Sequence, residues 1–209
     1  MATCVSRSYC WGRTRSQFHG GSVHWLLEEL GAPFETEIVR VTEADGAPES
    51  YRAIHPNKKV PAIVHDGVRV HERAAIFIYL CDAFPAAGLA PPIGDPRRGP
   101  YLSWLVYNDG VLDPVIAAKF GNWQYEKRGV SFGSFDDMVS NLNATLDGTP
   151  YLTGDDFTAA DLLICGGLNF AVNFTKAVPA TPAIKDYLGR CMSRPAFARA
   201  VAKDRAAAA

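Results

Sequence analysis

The feature that most constrains the fold is a proline-rich stretch near the middle of the chain, PAAGLAPPIGDPRRGP at residues 85–100. It contains five prolines and three glycines. Proline fixes φ and removes a backbone donor, so this stretch cannot form a helix interior or a central strand. A chain of 209 residues can bury a core on each side of such a break. We therefore predict two domains, residues 1–84 and 101–209, joined by a linker at 85–100.

Strand and helix patterns alternate before the linker. The segments TCVSRSYCWG and FETEIVRV are rich in β-branched and aromatic residues, which is typical of strands. VHWLLEELG, between them, is apolar at the helical period and ends in a glycine. PAIVH and VRVHE flank Asp66-Gly67, a hairpin signal, and ERAAIFIYLCDAF follows with helical periodicity. This order, β-α-β-α-β-β-α, predicts one mixed sheet with helices packed on it.

Only helical patterns follow the linker. YLSWLVYNDGVLDPVIAAKF is a long apolar segment that we expect to be interrupted near Pro114. SFDDMVSNLNATLDG carries one apolar stripe, whereas TAADLLICGGLNFAV is apolar almost all round and predicts a central buried helix. The fold class is therefore α+β, with an all-helical second domain.

Composition excludes several classes of function. The net charge is −1 and there is no long basic run, so neither nucleic acid nor an anionic membrane is an expected partner. No segment approaches 18 uninterrupted apolar residues, and the first residues lack the apolar region of a secretory signal, so we expect a cytoplasmic protein. The five cysteines are scattered without a CxxC pair, and no metal site is predicted.

Two segments of the first half, HPNKKVPAI at 55–63 and HERAAIFIYLCDAFP at 71–85, and three more along the chain resemble motifs of the cytosolic glutathione transferases. HPNKKVPAI is similar to that family's Asn-Pro-x-x-x-Val-Pro-Ala-Leu signature, and HERAAIFIYLCDAFP to its Glu-Ser-x-Ala-Ile-x-x-Tyr-Leu segment. WLLEELGAPFE resembles the first helix and the start of the second strand. YLTGDDFTAADLLI and MSRPAFARA resemble the capped buried helix and the last helix. The resemblance implies a thioredoxin-like glutathione-binding domain, an all-helical domain, and a homodimer.

The same resemblance implies a set of glutathione-binding residues. A cis bond between Val60 and Pro61 would aim the Val60 backbone at the cysteinyl part of glutathione, as an added strand would. Glu72 would accept the γ-glutamyl ammonium, and the backbone N–H of residue 73 would donate to the γ-glutamyl carboxylate. Arg73 stands where the family has Ser or Thr. Lys59 would reach the glycyl carboxylate, although Lys58 could do so instead.

The residue that activates the glutathione thiol is less defined by the sequence. The thiolate is the nucleophile, and a hydroxyl donor near the start of the first helix would stabilise it. Ser16 is the preferred candidate, because Ser16-Gln17 resembles the serine-type pattern of the family. Cys10, Tyr9 and Ser22 are alternatives, with Ser22 interpreted as a helix cap.

A pocket for a hydrophobic co-substrate is expected between the domains, lined from the long helix after the linker. The candidate residues are Trp104, Tyr107, Asn108, Phe120 and Trp123. The predicted function is a detoxifying glutathione transferase that attacks a hydrophobic electrophile. The alternatives are a glutathione-dependent lyase or ether-cleaving enzyme, a dehalogenase, an isomerase, or a binding protein without catalysis.

Overall fold

The computed structural model describes residues 6–11, 18–39 and 46–208, and their side chains at 21–39 and 46–206. The chain divides into two compact units. The first comprises Met1–Ala87 together with Arg194–Ala209, and the second is Gly88–Ser193. The division therefore falls close to the start of the proline-rich stretch. The last helix belongs to the first unit, whereas the sequence grouped it with residues 101–209.

The first unit contains a four-stranded mixed sheet. Its strands are β1 (Ser6–Trp11), β2 (Phe34–Val39), β3 (Ala62–His65) and β4 (Val68–His71), in the order β2-β1-β3-β4. β1 is parallel to β2 and antiparallel to β3, and β3 is antiparallel to β4. The arrangement confirms the expected mixed sheet of a thioredoxin-like domain.

Local signals in the sequence account for the turns of this unit. Asp66 and Gly67 both have positive φ, 48° and 80°, as a two-residue hairpin turn requires. Helix α1 (Phe18–Leu30) is followed by Gly31 with φ 64°, a conformation that glycine adopts without a Cβ penalty. A short 3-10 helix (Glu49–Ala53) precedes the β3–β4 hairpin, and helix α2 (Arg73–Ala83) directly follows the hairpin.

The last helix, α8 (Pro195–Ala208), packs on α1 through polar and aromatic contacts. Arg199 Nε donates to Glu28 Oε2 at 2.7 Å, and Arg194 Nη2 donates to Glu29 Oε2 at 2.8 Å. The rings of Trp25 and Phe197 meet edge to face, with centroids 4.8 Å apart. These contacts explain why α8 belongs to the first unit.

The second unit is helical. Its helices are α3 (Arg98–Tyr107), α4 (Asp113–Phe120), α5 (Phe135–Gly148), α6 (Ala159–Asn169) and α7 (Pro182–Met192). Segments Asn108–Leu112 and Phe170–Phe174 are π-helical. The interruption expected near Pro114 therefore lies at the preceding residues, and Pro114 occupies the first turn of α4, directly after the π-helical segment, where it donates no backbone hydrogen bond.

The central helix of this unit is α6, as its apolar composition predicted. Leu162, Leu163, Ile164 and Cys165 are all fully buried. Asp161, in the first turn, is also fully buried, and its Oδ2 accepts hydrogen bonds from both the N–H and the Oγ1 of Thr158 at 2.9 Å. The expected contact between Asp161 and the N-terminal cap of the helix is therefore confirmed. None of the helices in the described part of the chain has the length and hydropathy needed to cross a bilayer.

Candidate functional site

The loop before β3 contains the first group of predicted binding residues. The Val60–Pro61 bond is cis, as the resemblance implied. Ala62 and Ile63, which follow, are fully buried, and Val60 packs on the apolar cluster formed by Val39, Ala47, Tyr51 and Ala62. The apolar core of the first unit therefore fixes the position of this loop.

The two lysines of this loop differ in their surroundings. Lys58 has a positive φ of 53°, and its Nζ lies 3.3 Å from Glu49 Oε2. Lys59 is exposed. The ion pair engages Lys58 within the protein, which favours Lys59 over Lys58 as the residue that meets a ligand carboxylate.

Glu72 has an unusual backbone at the start of helix α2. Its φ is 66° and its ψ is 123°, a conformation that residues other than glycine rarely adopt. Such conformations persist only when the surrounding structure imposes them, and they are concentrated at binding and catalytic sites. The Glu72 side chain is 63% exposed. Its carboxylate is therefore open to a ligand beside the positive end of the α2 dipole.

Two histidines flank the Glu72 carboxylate, and the sequence did not predict this cluster. Nδ1 of His71 lies 3.3 Å from Glu72 Oε1, and Nε2 of the buried His55 lies 3.7 Å from the same atom. The two imidazole rings are 4.6 Å apart. The only signal in the sequence was His55 itself, which occupies the asparagine position of the family signature.

Burial and charge set the protonation of His55. Burial lowers the pKa of His55, and a charge on His71 lowers it further, while Glu72 opposes both effects. Nδ1 of His55 accepts the Asn57 backbone N–H at 3.2 Å. The neutral ring therefore carries its proton on Nε2, the atom that faces Glu72.

His55, His71 and Glu72 offer the types of ligand atom that a metal ion binds. Their ligand atoms lie within 4.8 Å of one another, close enough to share an ion. Metal binding at Nε2 of His55 would need a lone pair there and a proton on Nδ1. Nδ1 already accepts the Asn57 N–H, so a proton there would face a second donor. The arrangement therefore does not fit a metal ion without a change of the Asn57 loop.

The candidates for thiol activation lie mostly outside what the structure describes. Ser16 falls outside the described residues, and Tyr9 and Cys10 lie in β1, of which only the backbone is described. Ser22 is buried within α1, which begins at Phe18. It therefore lies a turn inside the helix and is not its N-terminal cap.

The predicted co-substrate residues do not form one group in the second unit. Asn108 is fully buried, so it offers no surface to a co-substrate. Trp104 and Tyr107 pack on each other, with ring centroids 4.9 Å apart, while Phe120 and Trp123 are exposed. Trp123 lines a pocket of about 220 Å³ together with Val115, Ala118, Lys119, Asn122, Gln124, Tyr125 and Phe135. Lys119 Nζ lies 4.9 Å from the centroid of the Phe135 ring at this pocket.

Comparison with known families agrees with this geometry. Residues 22–83 match the model of the glutathione S-transferase N-terminal domain, and residues 131–195 match that of the C-terminal domain. The first match contains the whole Val60–Arg73 region. The chain belongs to the glutathione S-transferase family.

Individual relatives are distant. An uncharacterised GST-like protein of Streptococcus mutans is 28% identical over 66% of this chain, and the match spans 56% of that protein's own length. The disulfide-bond oxidoreductase YfcG of Escherichia coli is 27% identical over 88% of this chain and 91% of its own. A sphingomonad glutathione S-transferase, solved with glutathione bound, is 26% identical, with a TM-score of 0.75 over 95% of this chain and 98% of that one.

Proposed function

We propose that this protein binds glutathione in its first unit and directs the glutathione thiolate at an electrophile. The observation that carries the proposal is the exposed Glu72 carboxylate, held by a positive-φ backbone at the start of α2. The amino-acid head of glutathione carries an ammonium and a carboxylate on one carbon. Glu72 suits the ammonium, and the helix N-terminus beside it suits the carboxylate.

The other predicted residues extend this site along the peptide. The Val60 backbone would pair with the cysteinyl residue in the manner of an added strand. The exposed Lys59 would meet the glycyl carboxylate as a point charge. Arg73 supplies a guanidinium in place of the hydroxyl usual in the family, and it would pair with the γ-glutamyl carboxylate. The glutathione-bound sphingomonad relative supports this assignment of ligand.

Calorimetric titration with glutathione tests the proposal. Wild-type protein should bind saturably, and Glu72→Gln should weaken binding about tenfold or more, because one member of a charge-assisted pair is lost. Asp66→Asn is the matched control, since Asp66 is another exposed acid with positive φ. The control should bind like wild type. Absence of saturable binding by the wild-type protein would refute the proposal.

The reaction that we propose is conjugation of glutathione to a hydrophobic electrophile. The thiolate attacks an activated carbon and forms a carbon–sulfur bond, and a leaving group departs with the bonding electrons. The pocket beside Trp123, with its aromatic walls, supports an aryl co-substrate. Turnover of an activated aryl halide, followed with Ser16→Ala, tests both the reaction and Ser16 as the activator. Unchanged turnover in this variant would exclude Ser16.

We also infer that the protein forms a homodimer, and sedimentation equilibrium would test this oligomeric state.

A second reaction is favoured by a relative. The Escherichia coli protein YfcG is described as a disulfide-bond oxidoreductase. At the same site, the glutathione thiolate would attack a disulfide, forming a mixed disulfide and releasing a thiolate. Assays with a small organic disulfide beside the aryl halide separate the two reactions, because only the disulfide yields a free thiol.

A further inference from the structure

We propose that His55 and His71 are positioning residues for the Glu72 carboxylate, and that on taking up protons they compete with the glutathione ammonium for it. The inference rests on the proposed binding of glutathione. It adds a proton-linked control of that binding, which arises from residues at positions 55 and 71 of this chain.

The geometry places both imidazoles on one oxygen of the carboxylate. His71 Nδ1 is 3.3 Å from Glu72 Oε1, and His55 Nε2 is 3.7 Å from it. His55 is buried, with an exposed fraction of 2%, and the Asn57 N–H fixes its orientation from the other side of the ring. Its Nε2–H therefore points at the carboxylate whenever the ring is neutral. His71 lies within hydrogen-bond distance of Oε1, whereas His55, at 3.7 Å, acts on the carboxylate mainly through its charge when it is protonated.

Other charged groups around the pair determine how it responds to protons. Lys59, in the same loop as His55, disfavours a charge on that ring. His71 and Glu72 face His55 from β4 and the start of α2, and Arg73 follows them in the chain. Lys58 is paired with Glu49 of the 3-10 helix. Glu72 is therefore the anion that lies nearest the two rings among the described side chains.

The sign of the proton linkage follows from this placement. An ammonium bound to Glu72 lies close to both rings and makes a charge on either of them less favourable. Glutathione therefore binds better to the neutral imidazoles, and protonation gives Glu72 an internal cation in place of the ligand. Affinity should fall as the pH drops from neutral into acid, and burial, which lowers the pKa of His55, delays the protonation of that ring to a lower pH than for an ordinary histidine.

The experiment uses S-methylglutathione, because its thioether cannot titrate. Calorimetric Kd values are measured at pH 7.5 and pH 5.5 for the wild-type protein and for the His55→Asn/His71→Asn double variant. Asparagine at position 55 keeps an acceptor for the Asn57 N–H, because its Oδ1 occupies the place of Nδ1. Asparagine at position 71 keeps a polar group beside Glu72. The variant retains Glu72, so any titration of that carboxylate persists in it. Circular dichroism confirms folding at both pH values.

We expect the wild-type Kd to rise about fivefold between pH 7.5 and pH 5.5, because a downward shift of about one unit in one imidazole pKa reaches its full tenfold effect only below both the free and the bound values. The double variant should change by less than about twofold over the same range. An affinity that is equal at both pH values, or that rises in acid, would overturn the inference while the proposed function stands. The same holds if the double variant keeps the wild-type pH dependence. Absence of S-methylglutathione binding at either pH would overturn both.

Discussion

The backbone N–H of Leu152 donates to Asp161 Oδ1 at 2.8 Å, which joins the start of helix α6 to the loop before it. Asp161 Oδ2 accepts two further bonds from Thr158, and the Tyr187 hydroxyl of α7 donates to the Asp161 backbone carbonyl at 3.1 Å. Asp161 is fully buried. One carboxylate thus satisfies the donors of the cap and of the neighbouring loop in the second unit.

The Asp161→Asn variant should destabilise the protein by about 2 kcal/mol, and Asp161→Ala by about 3 to 5 kcal/mol. Asparagine keeps one acceptor oxygen but turns an amide N–H₂ toward a donor, whereas alanine removes the acceptor of the Leu152 N–H and of both Thr158 donors. Thermal unfolding followed by circular dichroism would measure the effect. Asp156→Asn is the control, because Asp156 is 78% exposed and should change stability by less than about 0.5 kcal/mol. Equal melting temperatures for Asp161→Ala and Asp156→Asn would contradict this role.

The contact of α8 with α1 should weaken in acid. Burial raises the pKa of Glu28, but hydrogen bonds from Lys203 and Arg199 outweigh it, and the net pKa lies below the usual 4.5. A carboxyl whose pKa falls on folding stabilises the protein above its unfolded pKa and loses that contribution as pH drops through the folded value. The stability difference between wild type and Glu28→Gln should therefore be about 1 kcal/mol at pH 7 and vanish in acid.

Urea titrations at pH 7 and below pH 4 would measure this difference. Glu49→Gln is a suitable control, because Glu49 is also paired with two cations but is 72% exposed. Its ion pairs should contribute little at either pH. If Glu28→Gln matched wild type at pH 7, the salt bridges between α1 and α8 would not stabilise the first unit.

Local signals explain why much of the first unit was predictable. Asp66-Gly67 specifies a two-residue turn by its own chemistry, and Gly31 ends α1 because only glycine adopts positive φ without penalty. The position of α8 was not predictable in this way. Its contact with α1 joins Arg199 to Glu28, residues far apart in the chain, and such pairings follow from tertiary packing.

The residues of the candidate site also differ in whether a local sequence motif or only the tertiary fold brings them together. Glu72 and Pro61 were predicted as site residues because each belongs to a contiguous motif, and the structure shows the expected cis Val60–Pro61 bond. The pair of His55 and His71 was missed, because the two residues meet only after β3 and β4 fold back as a hairpin. Asn108 was misjudged for a related reason. It was predicted to line the co-substrate pocket, yet this side chain lies in the core of its unit, a position that tertiary packing sets.

Two glycines in helices of the second unit should respond in opposite ways to alanine. A Cβ at Gly167, in α6, would lie 2.8 Å from Leu112 Cδ2 and 3.0 Å from Asn108 Oδ1. Both neighbours are fully buried and have little room to move. A Cβ at Gly189, in α7, would meet no atom within 4 Å. The first substitution overpacks a core, and the second only removes the flexibility of a helical glycine.

Gly167→Ala should therefore lower stability by about 1 to 3 kcal/mol, since overpacking outweighs the better helix propensity of alanine. Gly189→Ala should raise stability by up to about 1 kcal/mol. Urea denaturation of both variants at pH 7 compares them under the same conditions. A Gly167→Ala variant as stable as Gly189→Ala would mean that α6 does not pack closely against the π-helical segment Asn108–Leu112. If only Gly167→Ala is destabilised, glycine at this position is required for that close approach.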